Sequence, residues 1–126
     1  MGKSLALFLL ILTACTGGYG NKVGGGDFSV FFPDGKDEGV AIEIARYWKE
    51  NDLITDKKQD IQLVSSGKDF ALRLIAQDPD NLQNMPYSEQ KLLYGLRDSL
   101  QRFVCDTCNL VIELCDDKFE PKYRIE

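Results

Sequence analysis

The feature that most constrains this chain is a short apolar segment at its start. Lys3 precedes an unbroken apolar run, residues 5–12, and the run ends in Thr13-Ala14-Cys15. The run is about half of the roughly 20 residues that a membrane-spanning helix needs. A positive charge, a short apolar centre and a small residue before a cleavage site are typical of a secretory signal peptide. The sequence therefore predicts an exported protein whose first 14 residues take no part in the folded domain.

The end of this run, Leu12-Thr13-Ala14-Cys15, resembles the lipobox of bacterial lipoproteins. The resemblance implies that the chain is cut before Cys15, that Cys15 Sγ carries a diacylglyceryl group, and that the new amino terminus is acylated. Because each buried methylene contributes about 0.8 kcal/mol, two or three acyl chains together anchor a protein stably to a membrane. Thr16 stands where an Asp commonly retains Gram-negative lipoproteins in the inner membrane, so in such a host we expect the outer membrane. The alternative is an ordinary cleaved signal peptide.

Glycine dominates the segment that follows the predicted cleavage site. Six of the ten residues 17–26 are glycine, a composition typical of a flexible coil. A phosphate-binding loop would need a preceding strand and a Lys-Ser/Thr ending, and the sequence has neither. The 112 residues left of 126 after cleavage are enough for one domain. We therefore predict a signal peptide at 1–14, a lipidated Cys and flexible tether at 15–26, and a single domain at 27–126.

Charge and composition exclude several classes of function. The net charge of −5 becomes −6 without Lys3, which argues against nucleic acid and against broad electrostatic binding to anionic lipid. The chain has no histidine, so Ser-His, Cys-His and His-metal sites are excluded. The acidic pairs Glu43/Glu50 and Asp116/Asp117 read as solvated charges, because nothing apolar surrounds them to separate their pKa values. The sequence thus indicates no enzyme signature and no cofactor.

The hydrophobic pattern predicts elements in the order β-α-β-β-α-β. Residues 28–32, 61–65, 70–75 and 110–114 have strand character, 37–51 and 88–104 have helical spacing, and 122–125 are a candidate for a further strand. Gly95 within the second helix suggests close packing there. An α+β two-layer sandwich, with a ferredoxin-like antiparallel sheet and both helices on one face, would bury both helices economically. The predicted core is Phe28, Val30, Phe32, Val40, Ile44, Trp48, Ile61, Leu63, Phe70, Leu72, Leu74, Leu92, Leu96, Leu100, Phe103, Leu110, Ile112 and Leu114.

Strand alternation also predicts which side chains point away from the helices. Such side chains must meet water or a partner. This face mixes apolar and charged groups, as interaction surfaces do, and its partner would be another envelope protein or a second copy of the chain. The alternative is an ordinary sheet face partly covered by the tail after Phe119. The candidate interaction residues are Phe31, Val64, Arg73, Ile75, Val111 and Glu113.

The cysteines beyond Cys15 are the other candidates for chemistry. Cys105 and Cys108 form a Cys-X-X-Cys motif at the end of the second predicted helix, where the helix dipole disfavours a reactive thiolate. Zinc would need an unusual set of three cysteines and a carboxylate such as Asp116. An exported chain makes a disulfide the first expectation, either Cys105–Cys108 or Cys108–Cys115, leaving one thiol free or bound to another chain.

The sequence therefore predicts a lipid-anchored protein of the bacterial cell envelope that binds another protein and catalyses no reaction. The alternative is a thiol-disulfide or metal-handling protein that uses Cys105, Cys108 and Cys115. A small-ligand carrier with a site between helices and sheet is a third interpretation, although the predicted core looks filled.

Overall fold

A six-stranded sheet organises the described part of the chain. The computed structural model describes residues 20–55, 57–104 and 107–126, so the predicted signal peptide, Cys15 and Cys105 lie outside it. Short 3-10 segments at Gly35–Asp37 and Pro79–Asn84 precede the two helices. The elements are β1 (Asn21–Gly25), β2 (Phe28–Phe32), α1 (Glu38–Glu50), β3 (Gln59–Ser66), β4 (Asp69–Ile75), α2 (Tyr87–Val104), β5 (Asn109–Cys115) and β6 (Pro121–Ile125).

The strands lie in the sheet in the same order as in the chain, β1 to β6. β1–β2, β3–β4 and β5–β6 are antiparallel hairpins, while β2–β3 and β4–β5 are parallel pairs joined through α1 and α2. The prediction of an α+β fold is confirmed. The prediction of a ferredoxin-like antiparallel sheet is wrong, because two strand pairs are parallel. Each helical crossover also places the next strand directly beside the previous one, with no strand between them.

The two crossovers have opposite hands. Both step across the sheet in the same direction, but β2 and β4 run in opposite directions. Both helices pack on the same face: the rings of Tyr47 in α1 and Phe103 in α2 lie 5.2 Å apart, and the helices share one core. One crossover is therefore left-handed, an arrangement found in only about 2% of such connections.

Strand β1 shortens the predicted tether. Residues 21–25 were expected to be flexible, yet they pair along their whole length with β2, from Asn21 opposite Phe32 to Gly25 opposite Phe28. Glycine permits the pairing: Gly24 has φ +88°, and a Cβ there would lie 2.6 Å from the Phe28 carbonyl oxygen. Gly24 and Gly25 therefore belong to a tight β1–β2 hairpin at the edge of the sheet.

The core lies between the helices and one face of the sheet, and α2 buries Leu96 and Leu100 as predicted but Leu93 in place of Leu92. Leu93 is fully buried, whereas Leu92 is 38% exposed. Gly95 is exposed and nothing lies within 4 Å of a Cβ built there, so the expected close packing is also wrong. The buried core is Phe28, Val30, Phe32, Ala41, Ile44, Trp48, Ile61, Leu63, Leu72, Leu74, Ala76, Leu82, Met85, Leu93, Leu96, Leu100, Leu110, Ile112, Leu114 and Ile125.

Two side chains packed in the core, Trp48 and Gln59, have buried polar atoms without hydrogen-bond partners among the described residues, and Gln59 has two of them. Gln59 in β3 is fully buried, and neither its Oε1 nor its Nε2 has a partner among the described residues. Gln62, three residues further along, is also buried, but its Oε1 accepts a hydrogen bond from Arg73 Nη1 at 3.3 Å. A buried polar group without a partner costs about 1–3 kcal/mol of stability.

We expect Gln59→Leu to raise the free energy of unfolding by about 1–3 kcal/mol, because it removes two buried polar atoms that lack partners. Gln62→Leu is the matched control and should lower it by about 1 kcal/mol, since Arg73 loses an acceptor. Urea denaturation of both variants checks this. A loss of stability in Gln59→Leu as large as that in Gln62→Leu would contradict the absence of hydrogen-bond partners at Gln59.

Candidate functional site

The face of the sheet opposite the helices carries a straight row of side chains, one from each strand. Each member lies directly opposite the next in the strand register, so the six side chains cross the whole sheet. Four of the six are charged at neutral pH. We call this set the transverse row: Lys22, Phe31, Gln62, Arg73, Glu113 and Arg124.

Glu113 holds the polar part of the transverse row together. Arg73 Nε donates to Glu113 Oε1 at 2.8 Å, and Arg124 Nη2 lies 3.4 Å from Glu113 Oε2. Glu113 is only 8% exposed, and a carboxylate at such a depth is tolerated because it is paired and hydrogen-bonded. Lys22 Nζ lies 5.9 Å from the centre of the Phe31 ring at the other end of the row.

We expect Arg73→Met to lower the free energy of unfolding by about 2 kcal/mol, because a buried carboxylate loses its closest hydrogen-bond donor. Arg124→Met should cost less than about 1 kcal/mol, since Arg124 is half exposed and its pair is screened by water. Thermal or urea unfolding of both variants measures the difference. Equal losses in the free energy of unfolding would show that the buried Glu113 carboxylate is not stabilised mainly by Arg73.

A groove with an apolar floor and a largely polar border adjoins the transverse row. Val64, Ala71 and Val111 are paired side by side across β3, β4 and β5 and line it. Its volume is about 250 Å³, below the roughly 300–1,000 Å³ typical of small-molecule pockets. Asp69 and Glu126 also line it. The groove therefore suits a few side chains of a partner protein better than a whole ligand.

The other end of this face is covered by the loop between β5 and β6, residues 116–120, which we call the strap. The Phe119 ring lies 6.4 Å from the Phe31 ring, edge to face, so the strap reaches from β5 across β4 and β3 to β2. Ile75 and Cys115 share the face of Arg73 and Glu113, two residues away, and are fully buried. They lie outside the main core, and Phe119 is itself 3% exposed. The strap thus completes a second, smaller core.

Asp116 holds the strap closed. Its Oδ1 accepts hydrogen bonds from the backbone N–H groups of Lys118 and Glu120, both at 2.9 Å. Partial burial alone would raise the pKa of Asp116, but these two hydrogen bonds and nearby lysines outweigh it and hold the pKa below its usual value. The ionised carboxylate therefore stabilises the closed strap at pH values above the usual pKa of an aspartate. This contribution is lost as the pH falls through the lowered pKa of Asp116.

The structure separates the cysteines into two kinds. Cys108 is disulfide-bonded, and its partner lies outside the described residues. Cys115 is a buried free thiol, so the Cys108–Cys115 alternative is wrong. Burial raises the pKa of Cys115 to about 12, with Arg73 opposing the rise, which leaves the thiol protonated at neutral pH. Across the described ranges no group of three or more His, Cys, Asp or Glu residues could hold a metal ion.

All six predicted interaction residues lie on one face, but they are not equally accessible. Phe31, Val64 and Arg73 are partly exposed, whereas Ile75, Val111 and Glu113 are buried by their neighbours. Sequence reasoning missed Lys22 because it was placed in a tether. It also missed Arg124, which the two-residue alternation of residues 122–125 could have placed on the face.

No family model matches this chain, and no match was found among curated proteins or solved structures. Within the part of the chain that the structure describes, no helix is long and apolar enough to cross a membrane. The function is therefore inferred from the geometry of the face and from the sequence.

Proposed function

We propose that this protein is a lipid-anchored lipoprotein of the bacterial cell envelope that binds another protein through the groove beside the transverse row. The observation that carries the proposal is the groove itself, an apolar floor flanked by charges held in fixed positions. An apolar centre with a polar border is the usual composition of a protein interface. The anchor rests on the lipobox at residues 12–15.

The charged border supplies specificity. Arg73 is held between Gln62 and Glu113, so its position does not change when a partner approaches. Charges in fixed positions favour a partner with complementary charges and disfavour others, and they determine the register in which it docks. Another envelope protein or a second copy of the chain could supply the partner surface.

The anchor would also restrict where the partner lies. Strand β1 begins at Asn21, only six residues after Cys15. Six residues span at most about 20 Å when fully extended. A domain held on so short a connection stays next to the membrane, and the partner must therefore present its docking surface at the membrane or on a protein bound to it.

Replacement of the lipidated cysteine tests the anchor. We expect Cys15→Ser to move the protein from the membrane fraction to the soluble fraction, because the acyl chains supply the membrane affinity. Cys115→Ser is the matched control and should remain in the membrane fraction. Immunoblots of fractionated cells measure both. Mass spectrometry that finds an intact Met1 end and an unmodified Cys15 thiol in the native protein would refute the anchor.

A charge in the groove tests the binding function. We expect Val64→Glu to reduce co-purification of at least one envelope protein, or of a tagged second copy, by about tenfold or more, because the interface would bury an unpaired carboxylate. Quantitative mass spectrometry of the acylated, affinity-purified protein measures it.

Ile42→Glu is the matched control for this experiment. Ile42 is 48% exposed on the outer side of α1, away from the groove, so its replacement introduces the same charge elsewhere. Both variants should melt within a few degrees of the parent, because neither position is fully buried. The binding proposal is wrong if Val64→Glu is folded and retains the same partners as Ile42→Glu.

A further inference from the structure

The strap is built as a unit that is separate from the sheet it covers. Among the described residues its hydrogen bonds close within it: Phe119 N donates to Asp116 O and Asp116 N donates to Glu120 O, both at 3.1 Å. Lys118 and Glu120 donate to Asp116 Oδ1. They hold the Phe119 ring in the position that closes the face, so the strap opens when these hydrogen bonds loosen, while the pairing of the sheet strands is kept.

The ends of the strap have the character of hinges. The pairing of β5 with β6 shifts register between Leu114 and Cys115, directly before the strap, and such a bulge interrupts the ladder. After the strap, Pro121 has no backbone N–H to tie it to β5. Phe119 has φ +60°, a left-handed conformation that a bulky residue adopts only when its surroundings compensate for the strain. Burial of its ring supplies that compensation.

We propose that the strap is an autoinhibitory contact: it opens between its two ends, and the Phe31–Ile75 region that it uncovers then joins the groove as one docking surface. This inference rests on the proposed binding function. In the closed form Phe119 occupies the apolar part of the face, and the groove is what remains accessible. In the open form an aromatic side chain of the partner takes the position of the Phe119 ring against Phe31.

The choice of an aromatic group follows from the site that Phe119 fills. The site offers the edge-to-face contact with the Phe31 ring, on the face that also carries the buried side chains of Ile75 and Cys115. Aromatic pairs gain from this geometry beyond their apolar burial, so a phenyl ring is the best replacement for the one that leaves. Lys22, above Phe31, favours carboxylates near that ring.

The rate at which the Cys115 thiol is chemically modified measures strap opening, and the measurement needs no partner protein. Its thiol is fully buried in the closed form. N-ethylmaleimide can therefore modify it only after the strap opens or the whole domain unfolds. The probe is applied to the full acylated chain, and the rate at Cys115 is read from its peptide by mass spectrometry, so the other cysteines do not interfere. Increasing urea below the unfolding transition separates the two routes, because local opening exposes little surface and depends weakly on urea.

We expect the rate of Cys115 modification in the parent protein to be nearly independent of urea concentration below the unfolding transition. Asp116→Ala should raise it about tenfold or more, because the carboxylate that closes the strap is lost while the Phe119 ring is kept. Asp117→Ala is the matched control and should leave the rate unchanged, since Asp117 makes no side-chain hydrogen bond among the described residues. A parent rate that follows global unfolding, or equal rates in the two variants, overturns the opening while leaving the groove proposal standing.

The inhibitory role is read from partner binding by the same variants. Asp116→Ala should retain several times more of the partner that Val64→Glu loses, whereas Asp117→Ala should match the parent. Unchanged or reduced binding by an Asp116→Ala variant whose strap does open overturns autoinhibition. If Val64→Glu loses no partner, the binding function fails together with its regulation, and the maleimide result then describes only the motion of the loop.

Discussion

The contact between Arg73 and Glu113 is the interaction on which the outer face of this protein depends. It joins β4 to β5 across a parallel pair, and a hydrogen bond from Arg73 to Gln62 on one side and an ion pair of Glu113 with Arg124 on the other extend it over four strands. A parallel pair has no tight turn to fix its register, so side-chain pairs of this kind contribute to it. Because these groups satisfy one another, charged residues can lie beside apolar ones on the same face.

The strand order explains why that face needs its own covering. Both helices pack on one side of the sheet, and the four inner strands, β2 to β5, carry apolar residues on both sides. Parallel strands are usually covered on both faces. Here the strap covers one end of the second face with Phe119, the transverse row crosses the middle, and the groove is what these leave. The left-handed crossover has the same origin: the pairs β2–β3 and β4–β5 run in opposite directions, so two crossovers that step the same way across one face must have opposite hands.

Sequence patterns predicted the elements far better than their arrangement. The alternation in 61–65 and 70–75 placed Val64, Arg73 and Ile75 on one face, because a strand has a strict period of two. In α2, spacings of three and four are both helical, so Leu92 and Leu93 were equally good starts for the buried stripe. The order of the strands depends on contacts between distant segments, and the glycine content of 17–26 does not reveal that Gly24 sits in a hairpin. The position of Phe119 depends on a loop conformation that no local pattern encodes.

The central claim is that the outer face has a second core, closed by Phe119, with the groove beside it. A nuclear Overhauser experiment on the folded, isotopically labelled protein tests it most directly, because ring protons of Phe31 and Phe119 can be assigned and their proximity observed. We predict cross-peaks between the two rings, consistent with centroids 6.4 Å apart, and upfield-shifted Cys115 and Ile75 protons beneath them. Phe119 resonances at random-coil positions with no cross-peak to Phe31 would contradict the account.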